Sequence, residues 1–429
     1  MEARESPPLN VDAIRADFPI LQRRVGGQVS PSTIGEDVAD GPQVVYLDNA
    51  ATTHTPEPVV DAICEYYRGY NANVHRGLHH LSQEASVAYE LAHDRVAEFV
   101  GASGGRDEVV FTGNTTEAEN LVAYAWGLNE LGPGDEIVLT EMEHHSSLVT
   151  WQQIGKRTGA DVHYVRVRED GRLDMEHAQE LIGPDTALVS TVHVSNTLGT
   201  VNPVARLADM AHEQDALIFV DGAQAVPTRP VDVEAIDADF YAFSGHKMLG
   251  PTGIGVLYGK RHLLESMEPF NYGGDMIASV DFEDATWNEL PWKFEAGTPR
   301  IAQGIALDAA IEYLDDVGME NVREHEELLA EYAYERLTTA DDVEILGPEP
   351  GPDRGGLVSF TVDGVHAHDI ASIVNDRGVA IRAGHHCTQP LHEKLGIAAS
   401  ARASFYVYNT REEIDVLVDA LDDARALLG

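Results

Sequence analysis

Lysine is almost missing from this 429-residue sequence: Lys156, Lys247, Lys260, Lys293 and Lys394 are the only ones among 29 basic residues. Acidic residues number 72, which gives a formal net charge of −43. A surface of that sign repels a phosphate backbone, and no nucleic-acid partner is expected. It also suits concentrated salt, where screening limits self-repulsion, and so points to a halophilic host. The acids are spread along helical stretches, as at Glu324, Glu326 and Glu327, and read as a solvated face. Cysteine is scarce as well. Cys64 and Cys387 form no C-x-x-C pair, so a reducing, cytoplasmic setting without structural disulfides is expected. No run of about 18 apolar residues exists, which leaves no candidate membrane span. Met1 to Asn10 is polar and lacks the apolar stretch of a signal peptide.

What is present is an ordinary globular share of apolar residues, 43%, over a length that suits two domains. A short helix is expected from Val11 to Phe18, followed by an exposed loop from Gly26 to Pro42, rich in Gly, Pro, Ser and Asp. Beyond it, short β-rich runs alternate with helical patterns. The runs start at Glu108, Glu136, Thr186 and Ala216, and Gly253 to Tyr258 looks like the last of them. This rhythm predicts a mostly parallel sheet covered on both faces. Two long helical patterns from Ile301 to about Leu337 lead into a smaller α+β unit. Its strands are expected near 343–346, 357–362 and 379–382, with a helix from His368 and another at the C-terminus. The expected division is a large α/β domain over residues 43–300 and a small α+β domain made of 1–42 and 301–429.

Four constellations carry chemistry. Ser244-Gly-His-Lys247 places a lysine among small residues between two strands, in a chain that has shed nearly all its lysines. Lysine's primary amine condenses with aldehydes to a Schiff base, which gives a reason to retain it. Asp221 ends an apolar run 26 residues earlier, where ligands bind in open α/β sheets. Alone, it reads equally well as a turn cap. Gly113-Asn-Thr-Thr116 lies between a strand and a helix and could cradle a phosphate, or Thr115 could simply cap the helix. Arg382-Ala-Gly-His-His-Cys387 predicts an exposed thiol, with Arg382 and imidazolium favouring thiolate, and Arg402 further on offers a fork for a carboxylate. His144 could lie flat over a planar cofactor or be a surface residue. Cys64, in a helical pattern, reads as a packed core thiol. The doublets His79-His80 and His385-His386 lack further ligands at zinc spacing, so no metal is expected.

These residues, with Tyr46-Leu-Asp-Asn-Ala-Ala51, Asn73-Val-His-Arg-Gly77, Glu143-His-His145, Val194-Ser-Asn196, Asp221-Gly-Ala-Gln224 and Phe294-Glu-Ala-Gly-Thr298, resemble a known family. It is that of the SufS-type cysteine desulfurases (group II, NifS/CsdB-like), fold-type I pyridoxal-phosphate enzymes. The resemblance runs from Phe18 to Thr410 and implies a mostly parallel seven-stranded sheet. It implies Lys247 as the cofactor lysine, Asp221 beside the ring nitrogen, Gln224 at the ring oxygen and His144 stacked on the ring. Thr115, Thr116, Ser244 and His246 would hold the phosphate, with Thr298 supplied by the second subunit of a homodimer. Asn196, Arg402, Arg382 and His75 would place L-cysteine. Cys387 would take its sulfur as a persulfide, release alanine and pass the sulfur to an acceptor protein for iron–sulfur cluster assembly. A selenocysteine lyase shares every one of these motifs, and a transaminase or kynureninase-like hydrolase would share the cofactor and leave Cys387 idle. The stretch from Gly26 to Pro42 is longer than the family usually has.

Overall fold

A computed structural model of the chain describes residues 9–27 and 29–428, so most of the polar opening stretch lies outside the described residues. Seven strands form the main sheet: β1 (Val109–Thr112), β2 (Glu136–Thr140), β3 (Asp161–Val165), β4 (Thr186–Val192), β5 (Leu217–Asp221), β6 (Phe240–Ser244) and β7 (Gly255–Gly259). Their spatial order is β1-β7-β6-β5-β4-β2-β3. Every pair from β6 to β3 is parallel, and β7 runs antiparallel to both its neighbours.

The strands read as nearly unbroken apolar runs because both faces are covered. Side chains alternate between the two faces with a period of two. Val109, Phe111, Ile218, Val220, Tyr241 and Phe243 enter one core cluster. Val110, Phe219, Phe240, Ala242 and Leu257 enter the other. The helices that matter here are α1 (His80–Val100), α2 (Thr115–Val122), α3 (His145–Thr158), α4 (Val204–His212), α5 (Ile301–Val317), α6 (Met319–Leu337), α7 (Ala367–Asp376) and α8 (Arg411–Leu428). Helices α1, α4 and α5 cover the first face, and α2 and α3 cover the second.

A second, four-stranded antiparallel sheet contains β8 (Val343–Leu346), β9 (Leu357–Val362), β10 (Arg382–Gly384) and β11 (Ser400–Ser404), in the order β8-β9-β11-β10. Its core joins Val358, Phe360 and Ala403 to Leu329 of α6, Ile370 of α7 and Leu417 of α8. The segment after the N-terminal loop docks on this part: Val45 and Tyr46 pair in parallel with Val379 and Ala380.

Several local expectations change. The run expected as one strand over 379–382 breaks at Ile381 into two short strands. The first helix is shorter than expected, Val11–Ala16, and Pro19 opens a 3-10 turn. The cap of α2 is Asn114, whose side chain accepts from the Glu117 N–H, and Thr115 is already inside the helix. Cys64 is half-buried, so it is no core thiol. The loop from Gly26 to Pro42 is exposed from Pro31 to Asp40 and is tied back by Arg23 and the Arg24 N–H, both bonded to Asp37. Among the described residues, no helix is long and apolar enough to cross a membrane.

Candidate active site

The carboxyl ends of the parallel strands open onto a cavity of about 300 Å³. This is where open α/β sheets bind their ligands. Each wall residue leaves a strand end: His144 follows β2, Asn196 follows β4, Asp221 ends β5, and Ser244 and Lys247 end and follow β6. The small sheet closes the opposite side with Arg382 from β10, Arg402 from β11 and His386 and Cys387 from the loop after β10. Cavity and sequence thus agree on Thr115, Thr116, His144, Asn196, Asp221, Gln224, Ser244, His246, Lys247, Arg382, Cys387 and Arg402. Two expected site residues lie elsewhere in this chain. Thr298 borders a separate cavity with Arg300 and Glu117, and His75 packs against Trp292. Asn114 and His386 line the site as members of the quoted motifs, and Ser146 lines it without having been named.

Burial sets the protonation of this site. Protein atoms crowd Lys247 closely, and that desolvation lowers its amine to about 8, although Asp221 opposes the shift. Asp221 is buried; its carboxyl is raised by desolvation and restrained by the Ala223 N–H, which donates to Oδ1 at 2.9 Å. Burial, with the nearby Lys247 charge, drops His144 to about 3. The Ser146 N–H donates to His144 Nδ1 at 3.1 Å, which leaves the proton of the neutral ring on Nε2. His386 falls to about 2, through burial first and then Arg402. It therefore supplies no imidazolium beside Cys387, contrary to the sequence expectation. Arg382 is present but shared, since its guanidinium grips Asp48 at 3.1 Å.

Cys387 is exposed and left-handed, with φ of 60°, and His386 before it has φ of 49°. Arg402 is almost fully buried and held by Asp48 Oδ1 at 3.2 Å and the Asn196 carbonyl at 2.8 Å. Its Nε has no partner, and neither have Asn196 Oδ1 and His386 Nδ1. Unpartnered buried polar atoms around one cavity call for a polar ligand.

The donor set fits pyridoxal phosphate. Lys247 offers an aldehyde an amine that loses its proton more easily than an ordinary lysine, and Asp221 offers a buried carboxylate to a ring nitrogen. The N-terminus of α2, with the hydroxyls of Thr115, Thr116 and Ser244, offers a phosphate cradle. Within that cradle the Thr115 N–H donates to Ser244 Oγ at 2.9 Å, which fixes strand end and helix start together.

The family model described as aminotransferase class-V matches residues 45–417. A cysteine desulfurase from Haloferax volcanii is 74% identical over 427 residues, covering 100% of each chain. A probable cysteine desulfurase from Halobacterium salinarum is 69% identical, covering 100% of this chain and 99% of its own. The chain belongs to the cysteine desulfurases of aminotransferase class V. It is accordingly an enzyme, and its acidic, lysine-poor composition agrees with relatives from halophilic archaea. Among solved structures, the cysteine desulfurase CsdA from Escherichia coli superposes with a TM-score of 0.88 at 38% identity, over 98% of this chain and 100% of that one. The cysteine desulfurase from Thermococcus onnurineus NA1 gives 0.86 at 40%, over 94% and 99%.

Proposed function

We propose that this cysteine desulfurase is of the SufS type. On this reading it converts L-cysteine to L-alanine and holds the sulfur on Cys387 for an acceptor protein of the Suf system, in the cytoplasm, for iron–sulfur cluster assembly. The observation that carries the reading is that Lys247 and Cys387 line one cavity from opposite walls. Pyridoxal phosphate is the cofactor, and when bound it supplies an electron sink for charge developing on the substrate's carbon.

Lys247 holds the cofactor and moves a proton with its amine, for which a value near 8 is well matched. Asp221 faces the ring nitrogen, Gln224 the ring oxygen and His144 the ring plane. Thr115, Thr116, Ser244 and His246 receive the phosphate. Arg402 and Asn196, assisted by Arg382, orient the substrate carboxylate through charge-assisted bonds. The Cys387 thiolate then attacks the substrate sulfur. The carbon–sulfur bond breaks, its electron pair stays with carbon, and a proton completes the methyl group of alanine. The persulfide so formed is transferable by thiol exchange.

Thr298 and His75 serve the cavity of a second copy in a homodimer. The exposed apolar residues Leu78, Leu81, Val87 and Leu91, just before α1 and along it to its middle, support such a contact. The test is Cys387→Ser. It should keep the yellow cofactor and lose sulfide and alanine formation from cysteine in high salt with reductant. Full turnover in that variant removes Cys387 from the reaction.

A further inference from the structure

The loop that carries Cys387 is held by a run of hydrogen bonds whose direction the structure fixes. His386 Nε2 lies 3.1 Å from the Ser400 carbonyl oxygen, which only accepts, so this nitrogen carries the proton. By the same logic His392 Nδ1, 3.1 Å from the Thr388 carbonyl, carries the proton of that ring. His392 Nε2 is then an acceptor, and Ser400 Oγ donates to it at 3.0 Å. The Ser400 hydroxyl, its proton committed, accepts from His386 Nε2 at 3.0 Å. The chain therefore runs one way, from His386 through Ser400 to His392 and on to Thr388. Its start and end bracket Cys387 in sequence. Protonating His386 Nδ1 would find no acceptor there, in keeping with a ring held neutral by burial.

Two further clamps act on the same residues. Asn196 Nδ2 donates to the His386 carbonyl at 2.6 Å, and the His145 N–H donates to the Cys387 carbonyl at 2.8 Å. These hold a dipeptide whose two residues are both left-handed, a conformation that non-glycine residues avoid unless their surroundings enforce it. His386 is buried while Cys387, next to it, is exposed. The imidazole is thus the anchor and the thiol the presented group.

We propose that His386 is the positioning residue of the sulfur-accepting loop, acting through its one-way bond to Ser400 and His392 to fix where Cys387 meets the substrate sulfur. This rests on the assignment of Cys387 as sulfur acceptor. The test uses cofactor-loaded enzyme with His386→Ala, His386→Gln and Ser400→Ala, each checked for retained cofactor absorbance. Persulfide formed on Cys387 in a single turnover is followed by mass spectrometry, and amide exchange is followed in the peptide spanning 385–388. His386→Ala should form persulfide at least about tenfold more slowly with KM within about twofold, and its loop amides should exchange faster. Gln restores a donor near the place of Nε2 and should recover persulfide formation to within about threefold. Ser400→Ala keeps the carbonyl and loses the hydroxyl, so it should fall between the two, and it serves if His386→Ala does not fold. Persulfide formation in His386→Ala within twofold of the unaltered enzyme overturns the proposal, as does a Gln variant as slow as the Ala variant. Unaltered enzyme that forms no persulfide overturns the assignment of Cys387 instead, and the exchange measurement still decides the brace.

Discussion

The two walls of the cavity are built on opposite terms. The wall made by the ends of the parallel strands desolvates its reactive groups, with Asp221 buried and Lys247 and His144 half-buried. Asp221 lies beneath the surface among raised carboxyls, with Glu119 pushed up to about 8 by burial and by Asp221 itself. Glu143, buried in the same layer, is also raised well above the usual carboxylate range by desolvation. The wall made by the small sheet buries Arg402 and His386 but leaves Arg382 and the Cys387 thiol exposed. The first wall tunes proton affinities by removing water. The second presents its thiol to the outside and spends its burial on holding a backbone shape. One site thus needs both a low-dielectric floor and an accessible rim, and the fold draws them from two different sheets.

That contrast is breakable at several points. The largest effect belongs to the floor: Lys247→Ala should cut desulfurase turnover by at least about a thousandfold, because the variant lacks both attachment point and proton carrier. Steady-state alanine release measures it, and a loss under tenfold would show that the buried wall is not where the chemistry starts. At the rim, Arg402→Lys should raise KM for cysteine by about 10- to 100-fold, since a point charge replaces a planar fork held by Asp48 and Asn196. An unchanged KM would place substrate recognition elsewhere.

The smallest effect is a pH dependence of the floor alone. In cofactor-free protein, the neutral amine of Lys247 is the form that condenses with an aldehyde. Its value is lowered to about 8, so the reactive fraction grows as pH rises toward 8 and levels off above it. Reconstitution with pyridoxal phosphate, followed by absorbance, should therefore speed up by about 15-fold from pH 6.5 to 8 and by about twofold more before it levels off. A rate still climbing steeply at pH 10 would mean that the lysine keeps its ordinary affinity and that burial does not tune it.

Much of the floor was legible along the chain, because its signals are local. A strand, a small-residue turn and a helix start follow one another within a few residues, and Asp221, Lys247 and the Thr115-Thr116 pair declare themselves in that pattern. The rim was legible as a list of residues and illegible as an arrangement. Nothing near Arg402 in sequence announces Asp48, which lies 354 residues away. The expected imidazolium fails at His386 for a related reason: burial neutralises that ring, and a motif carries no burial. The strand Ser400–Ser404 escaped notice because its run of small and polar residues lacks the β-branched signature. Strand Asp161–Val165 starts exposed at a sheet edge, where the apolar pattern is weakest. Thr298 lines a different cavity in this chain, so its motif did not predict where the fold puts it.

The antiparallel seventh strand has a consequence for biosynthesis. Among the described residues, strand Val109–Thr112 pairs only with Gly255–Gly259, so it has no sheet partner until well over a hundred further residues have left the ribosome. At about 5–20 residues per second, that open edge waits on the order of ten seconds. An unpaired apolar edge is a template for wrong association. That edge is still open when Lys247, in the turn that leads to the closing strand, is synthesised.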